Sequence, residues 1–109
     1  MAGFNTVDDE VSVADATALI SAGTGWLLDV REQYEWDTGH APGAHHIPMQ
    51  EVGLRSDELP EDEQIFVICH TGARSAMVTN ALKRAGFEAA NVVGGMDAWQ
   101  RAGEEVVRG

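Results

Sequence analysis

The sequence has little that would support an extracellular, membrane-bound or nucleic-acid-binding protein. It contains a single cysteine, so no disulfide can form within the chain, and this agrees with a reducing compartment. Only 7 residues are lysine or arginine against 18 aspartates and glutamates, and the net charge is −11. The basic residues form no cluster, which disfavours binding to nucleic acid or to an anionic membrane surface.

Long apolar segments are also missing. The longest uninterrupted apolar run, Ile65 to Cys69, is far shorter than a membrane-spanning helix requires. The stretch 1–10 is acidic and lacks the basic region and apolar core of a signal peptide. From these absences we expect a cytoplasmic protein with no membrane partner.

What remains is the composition of a small globular protein. The chain has 109 residues, of which 44% are hydrophobic, enough for one core and too few for two. We therefore predict a single domain over 1–109. The acidic balance is interpreted as a solvated surface, with no partner attached to it.

The most informative stretch is 65–85, which is typical of a strand, a tight loop and a helix. Ile65 to Ile68 are β-branched or aromatic and lead directly into Cys69, as in a strand buried on both faces. Apolar residues then recur at helical spacing: Met77, Val78, Ala81, Leu82 and Ala85. Ser75 is a good capping residue and stands where we expect this helix to begin. Cys69 is thus predicted at a strand-to-helix turn, where free backbone N–H groups can bind an anion.

The residues after the cysteine favour a reactive thiolate. A lone cysteine at the end of an apolar strand is most often a small buried hydrophobe, so that alternative has to be weighed. Gly72 allows the backbone to bend closely around the sulfur, and the guanidinium of Arg74 can fold back over it. The helix start and Arg74 should both lower the pKa of Cys69 below about 8.5. The Cys-x-x-Gly-x-Arg pattern at this turn therefore predicts a nucleophilic cysteine.

Helical and strand signals alternate along the rest of the chain. Helices are expected after Ser12, over 32–37, over 50–54 and after Gly94, and strands over 26–30, 44–47 and 91–93. This alternation predicts an α/β fold, a small parallel sheet with helices on both faces, with ligand chemistry at the carboxyl ends of the strands. Cys69 lies at such an end.

Two further groups of polar residues have structural interpretations. Asp29 and Arg31 are two positions apart at the end of a predicted strand, so an ion pair is expected there. His40, His45 and His46 invite a metal site, but the last two are consecutive on an extended segment and point to opposite faces. No second cysteine completes a tetrahedral set of ligands. We therefore predict structural histidines, no metal site and no cofactor.

Four segments resemble the rhodanese family of sulfurtransferases, and they follow the family's order. They are LLDVRE at 27–32, EWDTGHAPGAHHIP at 35–48, VICHTGARS at 67–75 and GGMDAW at 94–99. Four matches in order are far more specific than the cysteine loop alone. The resemblance covers almost the whole chain and implies a small rhodanese-like α/β domain.

The resemblance also implies a mechanism. Cys69 would be the catalytic residue, which takes a sulfane sulfur as a persulfide and passes it to a thiol or to cyanide. The persulfide would be held by the backbone of five substrate-binding residues, His70, Thr71, Gly72, Ala73 and Arg74. Three other residues would support the site: Asp29, Arg31 and Ser75. The implied partners are a small donor such as thiosulfate, the acceptor, and a protein that donates a persulfide.

Three functions remain open at this point. The first is an enzyme that turns over sulfur through a covalent intermediate on Cys69. The second is a sulfur carrier or binding module that receives its sulfur from a partner protein's persulfide. The third is a cysteine-dependent phosphatase or arsenate reductase, but those families place arginine six positions after the cysteine, where this chain has Ser75. The shorter loop should enclose a single sulfur and not the three oxygens of a phosphoryl group.

Overall fold

The computed structural model of the protein describes residues 9–108. The prediction that no signal peptide is present concerns mainly residues 1–8, which lie outside the described residues. Within 9–108, no helix is both long enough and apolar enough to cross a membrane.

Five strands and four α-helices alternate along the described part of the chain. The strands are β1 (Glu10–Val11), β2 (Trp26–Asp29), β3 (His45–His46), β4 (Ile65–Ile68) and β5 (Ala89–Val92). The helices are α1 (Val13–Ser21), α2 (Gln33–Thr38), α3 (Ala73–Arg84) and α4 (Gly95–Arg101). Two short 3₁₀ helices cover Met49–Glu51 and Ser56–Glu58, and the first of them replaces the helix predicted over 50–54. The sequence did not predict β1, because two residues are too few for an alternating pattern.

The five strands form one parallel sheet in the order β1-β5-β4-β2-β3. Strand β4 is central and pairs with β5 on one side and β2 on the other. Because parallel strands end at the same edge, the chain leaves β2, β4 and β5 on one side of the molecule. The predicted parallel sheet is confirmed, and this edge is where the site lies.

Side chains along β4 alternate between two cores, one on each face of the sheet. Phe66 packs into a core that includes Trp99 of α4 and residues of α1. Val67 and Cys69 pack into the opposite core, which includes Leu82 of α3. The predicted helices on both faces are therefore confirmed, and Cys69 faces the layer that contains α3.

Helix α3 begins two residues earlier than the sequence predicted. It starts at Ala73, and Gly72 is its N-cap in the left-handed region, with φ of +111°. Ser75 is therefore not the cap; it lies in the first helical turn and is fully buried. The glycine is the reason, because it turns the chain from the loop into the helix at a φ that other residues rarely adopt.

Candidate active site

Cys69 lies directly after β4 and is enclosed by the loop that follows it. Its Sγ atom receives the backbone N–H of Gly72 at 3.1 Å and that of Ser75 at 3.3 Å. The hydroxyl of Ser75 lies 3.2 Å from the same sulfur. The residue is only 1% exposed, so these donors reach it from a loop that covers it closely. The predicted convergence of backbone N–H groups on the cysteine is present.

These donors change the acidity of the thiol. Burial of Cys69 raises its pKa, because a thiolate is costly to keep away from water. The hydroxyl of Ser75 and the backbone N–H groups of Ser75, Gly72 and Arg74 act in the opposite direction and outweigh burial. The pKa of Cys69 is lowered as a result, which favours the nucleophilic form of the sulfur.

A series of buried hydrogen bonds connects the sulfur of Cys69 to the backbone of Gly72. Ser75 Oγ is 2.5 Å from Oδ1 of Asn91, a residue of β5, and Asn91 Nδ2 donates to the carbonyl of Gly72 at 3.2 Å. A hydroxyl carries one hydrogen, so Ser75 donates either to Asn91 or to the sulfur at any instant. When Cys69 is a thiolate, the hydroxyl can turn to the sulfur. When it is a thiol, its S–H can donate to Ser75 instead.

The start of α4 holds the loop from the other side. The N–H of Met96 donates to the carbonyl of Cys69 at 2.8 Å, and the N–H of Asp97 donates to that of His70 at 3.0 Å. Gly95 has φ of +57°, and a Cβ there would collide with both of these carbonyl oxygens. The backbone of α4 therefore contacts the loop too closely for a side chain at Gly95.

The guanidinium of Arg74 is paired with a carboxylate that the sequence did not connect to the loop. It makes two parallel hydrogen bonds to the carboxylate of Glu35 on α2, at 2.7 and 2.8 Å. The bond from Arg74 holds the pKa of Glu35 well below its usual range, at about 2, so the carboxylate is ionised. The planar guanidinium matches the two oxygens of a carboxylate, which accounts for the paired hydrogen bonds.

The predicted ion pair between Asp29 and Arg31 is present at the end of β2. Arg31 Nη2 lies 2.8 Å from Asp29 Oδ2, and both side chains are buried. The same guanidinium donates to the carbonyls of Gly39 at 2.8 Å and Glu35 at 3.3 Å. The pair thus braces α2, the helix that carries Glu35.

The remaining residues of the predicted loop lie at its surface. His70, Thr71 and Ala73 are exposed, while Arg74 is partly buried. The structure thus brings Cys69, Gly72 and Ser75 together and leaves the side chains of His70, Thr71 and Ala73 facing solvent.

The histidines that suggested a metal site have aromatic neighbours. His45 stacks on Trp26 with ring centroids 3.8 Å apart, and burial lowers its pKa. His40 and His46 both stack on Trp36, at 3.5 and 4.7 Å. Among residues 9–108, no group of three or more histidine, cysteine, aspartate or glutamate side chains is arranged to hold a metal ion.

Sequence reasoning missed Glu35 and Asn91. Asn91 left a signal, since it is a polar residue within an apolar strand and such a residue needs a buried partner. The sequence signal for Glu35 is weaker. It is the third helical residue after Glu32, and the two form a capping box. That pattern predicts a helix start and says nothing of Arg74, which is 39 positions away.

Comparisons with known proteins point to one family. The family model named "Rhodanese-like domain" matches residues 12–102 of the chain. The chain is 47% identical over 74 residues to the Bacillus subtilis protein "Putative sulfur carrier protein YrkF". This match covers 67% of this chain and 40% of that relative. It is 40% identical over 75 residues to "Putative sulfurtransferase YtwF" of the same organism, covering 69% of this chain and 73% of the relative.

The fold has a similar solved structure. A rhodanese-related protein from Thermoplasma volcanium superposes with a TM-score of 0.85 and 32% sequence identity. The match covers 91% of this chain and 97% of that protein. The chain thus covers nearly all of that solved chain, while it spans less than half of the curated relative named as a sulfur carrier.

Proposed function

The chain belongs to the rhodanese-like domain family, and from this membership we propose that it is a sulfurtransferase in which Cys69 carries the sulfur. The proposed reaction moves a sulfane sulfur from a donor such as thiosulfate to a thiophilic acceptor, either cyanide or a thiol. The observation that carries the proposal is the set of hydrogen-bond donors around Sγ of Cys69, two backbone N–H groups and the Ser75 hydroxyl.

The proposed steps are two displacements at sulfur. The thiolate of Cys69 attacks the outer sulfur of the donor, an S–S bond forms, and the donor's own S–S bond breaks. With thiosulfate the leaving group is sulfite, which takes the electron pair of the broken bond. The acceptor then attacks the outer sulfur of the Cys69 persulfide, and the thiolate is released. Each step is a displacement without net oxidation, so the proposal requires no cofactor.

The donors around the sulfur serve both steps. A thiolate is needed to attack and is again the leaving group, so the same N–H groups of Gly72 and Ser75 stabilise the start and the end of the cycle. The outer sulfur of the persulfide also carries negative charge, and the loop offers backbone N–H groups for it.

We also propose a cytoplasmic setting, because the single cysteine must remain reduced to act as a nucleophile.

A sulfur carrier is the second candidate, and one observation favours it. The relative with 47% identity is named as a sulfur carrier protein, although this chain spans only 40% of it. A carrier would accept sulfur from the persulfide of a partner protein and would turn over slowly with small donors. Steady-state turnover compared with a single transfer from a protein persulfide separates the two functions.

The experiment measures thiocyanate formation from a sulfane-sulfur donor and cyanide, beside hydrolysis of an aryl phosphate by the same preparation. We expect sulfur transfer without phosphate hydrolysis, because the loop from Cys69 to Arg74 is too short for a phosphoryl group. Cys69→Ala should abolish transfer and keep the fold, since only the nucleophile is lost. Transfer at the wild-type rate in Cys69→Ala, or phosphate hydrolysis without sulfur transfer, would overturn the proposal.

A further inference from the structure

The positive charge of the cysteine loop is already neutralised by the protein itself. Arg74 is the loop's only lysine or arginine, and both of its terminal nitrogens donate to Glu35. The side chains are 32% and 18% exposed, respectively, so the pair is partly shielded from solvent. An arriving anion therefore meets an ion pair and not an isolated guanidinium.

The carboxylate of Glu35 is held in place by several contacts besides Arg74. Its Oε1 accepts the backbone N–H of Glu32 at 2.9 Å, as part of the capping box that starts α2. The carbonyl of Glu35 accepts a hydrogen bond from Arg31, which is itself fixed by the buried Asp29. The bond from Arg74 keeps the pKa of Glu35 at about 2, so this carboxylate stays charged at neutral pH.

Two further charged side chains near the loop are also paired. Arg31, which helps to lower the pKa of Glu35, binds the buried Asp29. Asp97, whose N–H contacts the loop carbonyl of His70, carries a carboxylate that is paired with Arg101 at 3.2 Å. The chain as a whole has a net charge of −11. Thiosulfate is a dianion at neutral pH, and it would have to approach a thiolate through this field. A hydropersulfide carries at most one negative charge on its sulfurs, and its electrophilic protonated form, R–S–SH, carries none, so it meets less of this repulsion than thiosulfate does.

We propose that the Glu35–Arg74 pair sets the choice of sulfur donor, so that Cys69 takes sulfane sulfur from hydropersulfides in preference to dianionic donors such as thiosulfate. The inference rests on the proposed sulfur transfer through Cys69. In the loading step the thiolate attacks the outer sulfur of R–S–SH. The new S–S bond forms, the donor's S–S bond breaks, the proton stays on the transferred sulfur, and R–S⁻ leaves with the electron pair. Glu35 is a specificity-determining residue that acts through Arg74 and does not touch the reacting atoms.

The test compares two probes, thiosulfate and cysteine hydropersulfide, as the ratio of their kcat/KM values for loading Cys69. Wild-type protein should favour the hydropersulfide. Glu35→Gln frees the guanidinium charge while keeping the hydrogen-bond acceptor of the capping box, and should shift the ratio toward thiosulfate by about tenfold or more. Its thiosulfate rate should also fall as salt is added, more steeply than the wild-type rate.

Matched variants distinguish the effect of charge at the loop on the donor ratio from the effect of charge elsewhere in the molecule. Asp37→Asn removes one carboxylate from the same helix, where Asp37 accepts a hydrogen bond from Gln33, and should leave the ratio unchanged. Arg74→Ala leaves Glu35 uncompensated and should shift the ratio away from thiosulfate. The double variant Glu35→Gln with Arg74→Ala should return close to the wild-type ratio, because the two effects cancel. Arg74→Ala keeps the test decisive if Glu35→Gln does not fold.

A second probe is a hydropersulfide formed on the single surface cysteine of an unrelated small protein. The rates at which this probe and cysteine hydropersulfide load Cys69 distinguish a protein donor from a small one. Equal ratios in wild type, Glu35→Gln and Asp37→Asn, or a wild-type preference for thiosulfate, would overturn the inference and leave sulfur transfer standing. Failure of every donor to place sulfur on Cys69 would overturn the proposed function itself.

Discussion

At the scale of single residues, the chemistry of the site is concentrated on one sulfur atom and its hydrogen-bond donors. Burial alone would make Cys69 a weaker acid than a free cysteine. The Ser75 hydroxyl and the backbone N–H groups of the loop reverse this and lower its pKa. The folded state therefore favours the thiolate, and stability from this source is present above the ordinary thiol pKa and lost as pH falls through the lowered value.

The pH dependence of alkylation tests this description of Cys69. The rate with a small alkylating reagent should reach half its maximum below about pH 8.5, the pKa of a free cysteine. Ser75→Ala removes the hydroxyl donor and should move that midpoint upward. Thr71→Ala removes an exposed hydroxyl from the same loop and should not move it. A midpoint near the free value in the wild type would show that the donors do not stabilise the thiolate.

The sequence predicted the residues whose environment is local and missed those whose partners are distant. Cys69 and Gly72 follow from a strand, a loop and a helix that are contiguous in the chain. Glu35 and Asn91 depend on how separate strands and helices pack, so no local pattern connects them to the loop. The pairing of Arg74 with Glu35 was missed for the same reason, because Glu35 is on another helix.

At the scale of secondary-structure elements, the loop is held between the starts of two helices. Helix α3 supplies the N–H of Ser75 to the sulfur, and α4 supplies two N–H groups to the loop carbonyls. The sequence predicted both helices, but it placed the start of α3 at Ser75 instead of Ala73. Serine is a frequent cap, and the pattern alone could not show that Gly72 would cap the helix with its backbone.

Gly95→Ala tests the close contact between α4 and the loop. The new Cβ would collide with the carbonyls of Cys69 and His70, and the backbone would keep an unfavourable φ. We expect a loss of roughly 2 to 5 kcal/mol in the free energy of unfolding. Gly103→Ala is the matched control, because Gly103 has φ of +78° and open space around it. It should cost about 1 to 2 kcal/mol, and equal losses in urea titrations of the two variants would refute the contact.

At the scale of the whole molecule, the parallel sheet decides where the chemistry lies. The central strand β4 delivers Cys69 to the edge where β2 also ends with Asp29 and β5 carries Asn91. Alternating strand and helix signals were enough to predict this architecture. The strand order and the edge strand β1 were not predictable, since they depend on pairings between segments far apart in the chain.

The mass of the intact protein after exposure to a sulfane-sulfur donor tests the central claim most directly. Thiosulfate and cysteine hydropersulfide are each incubated with wild-type protein and with Cys69→Ala, and excess donor is removed before measurement. We expect that the wild-type protein gains the mass of one sulfur atom, which peptide mapping locates on Cys69 and which cyanide then removes. Wild-type protein that gains no sulfur from either donor, or a Cys69→Ala variant that gains it equally, would show that Cys69 does not carry the sulfur.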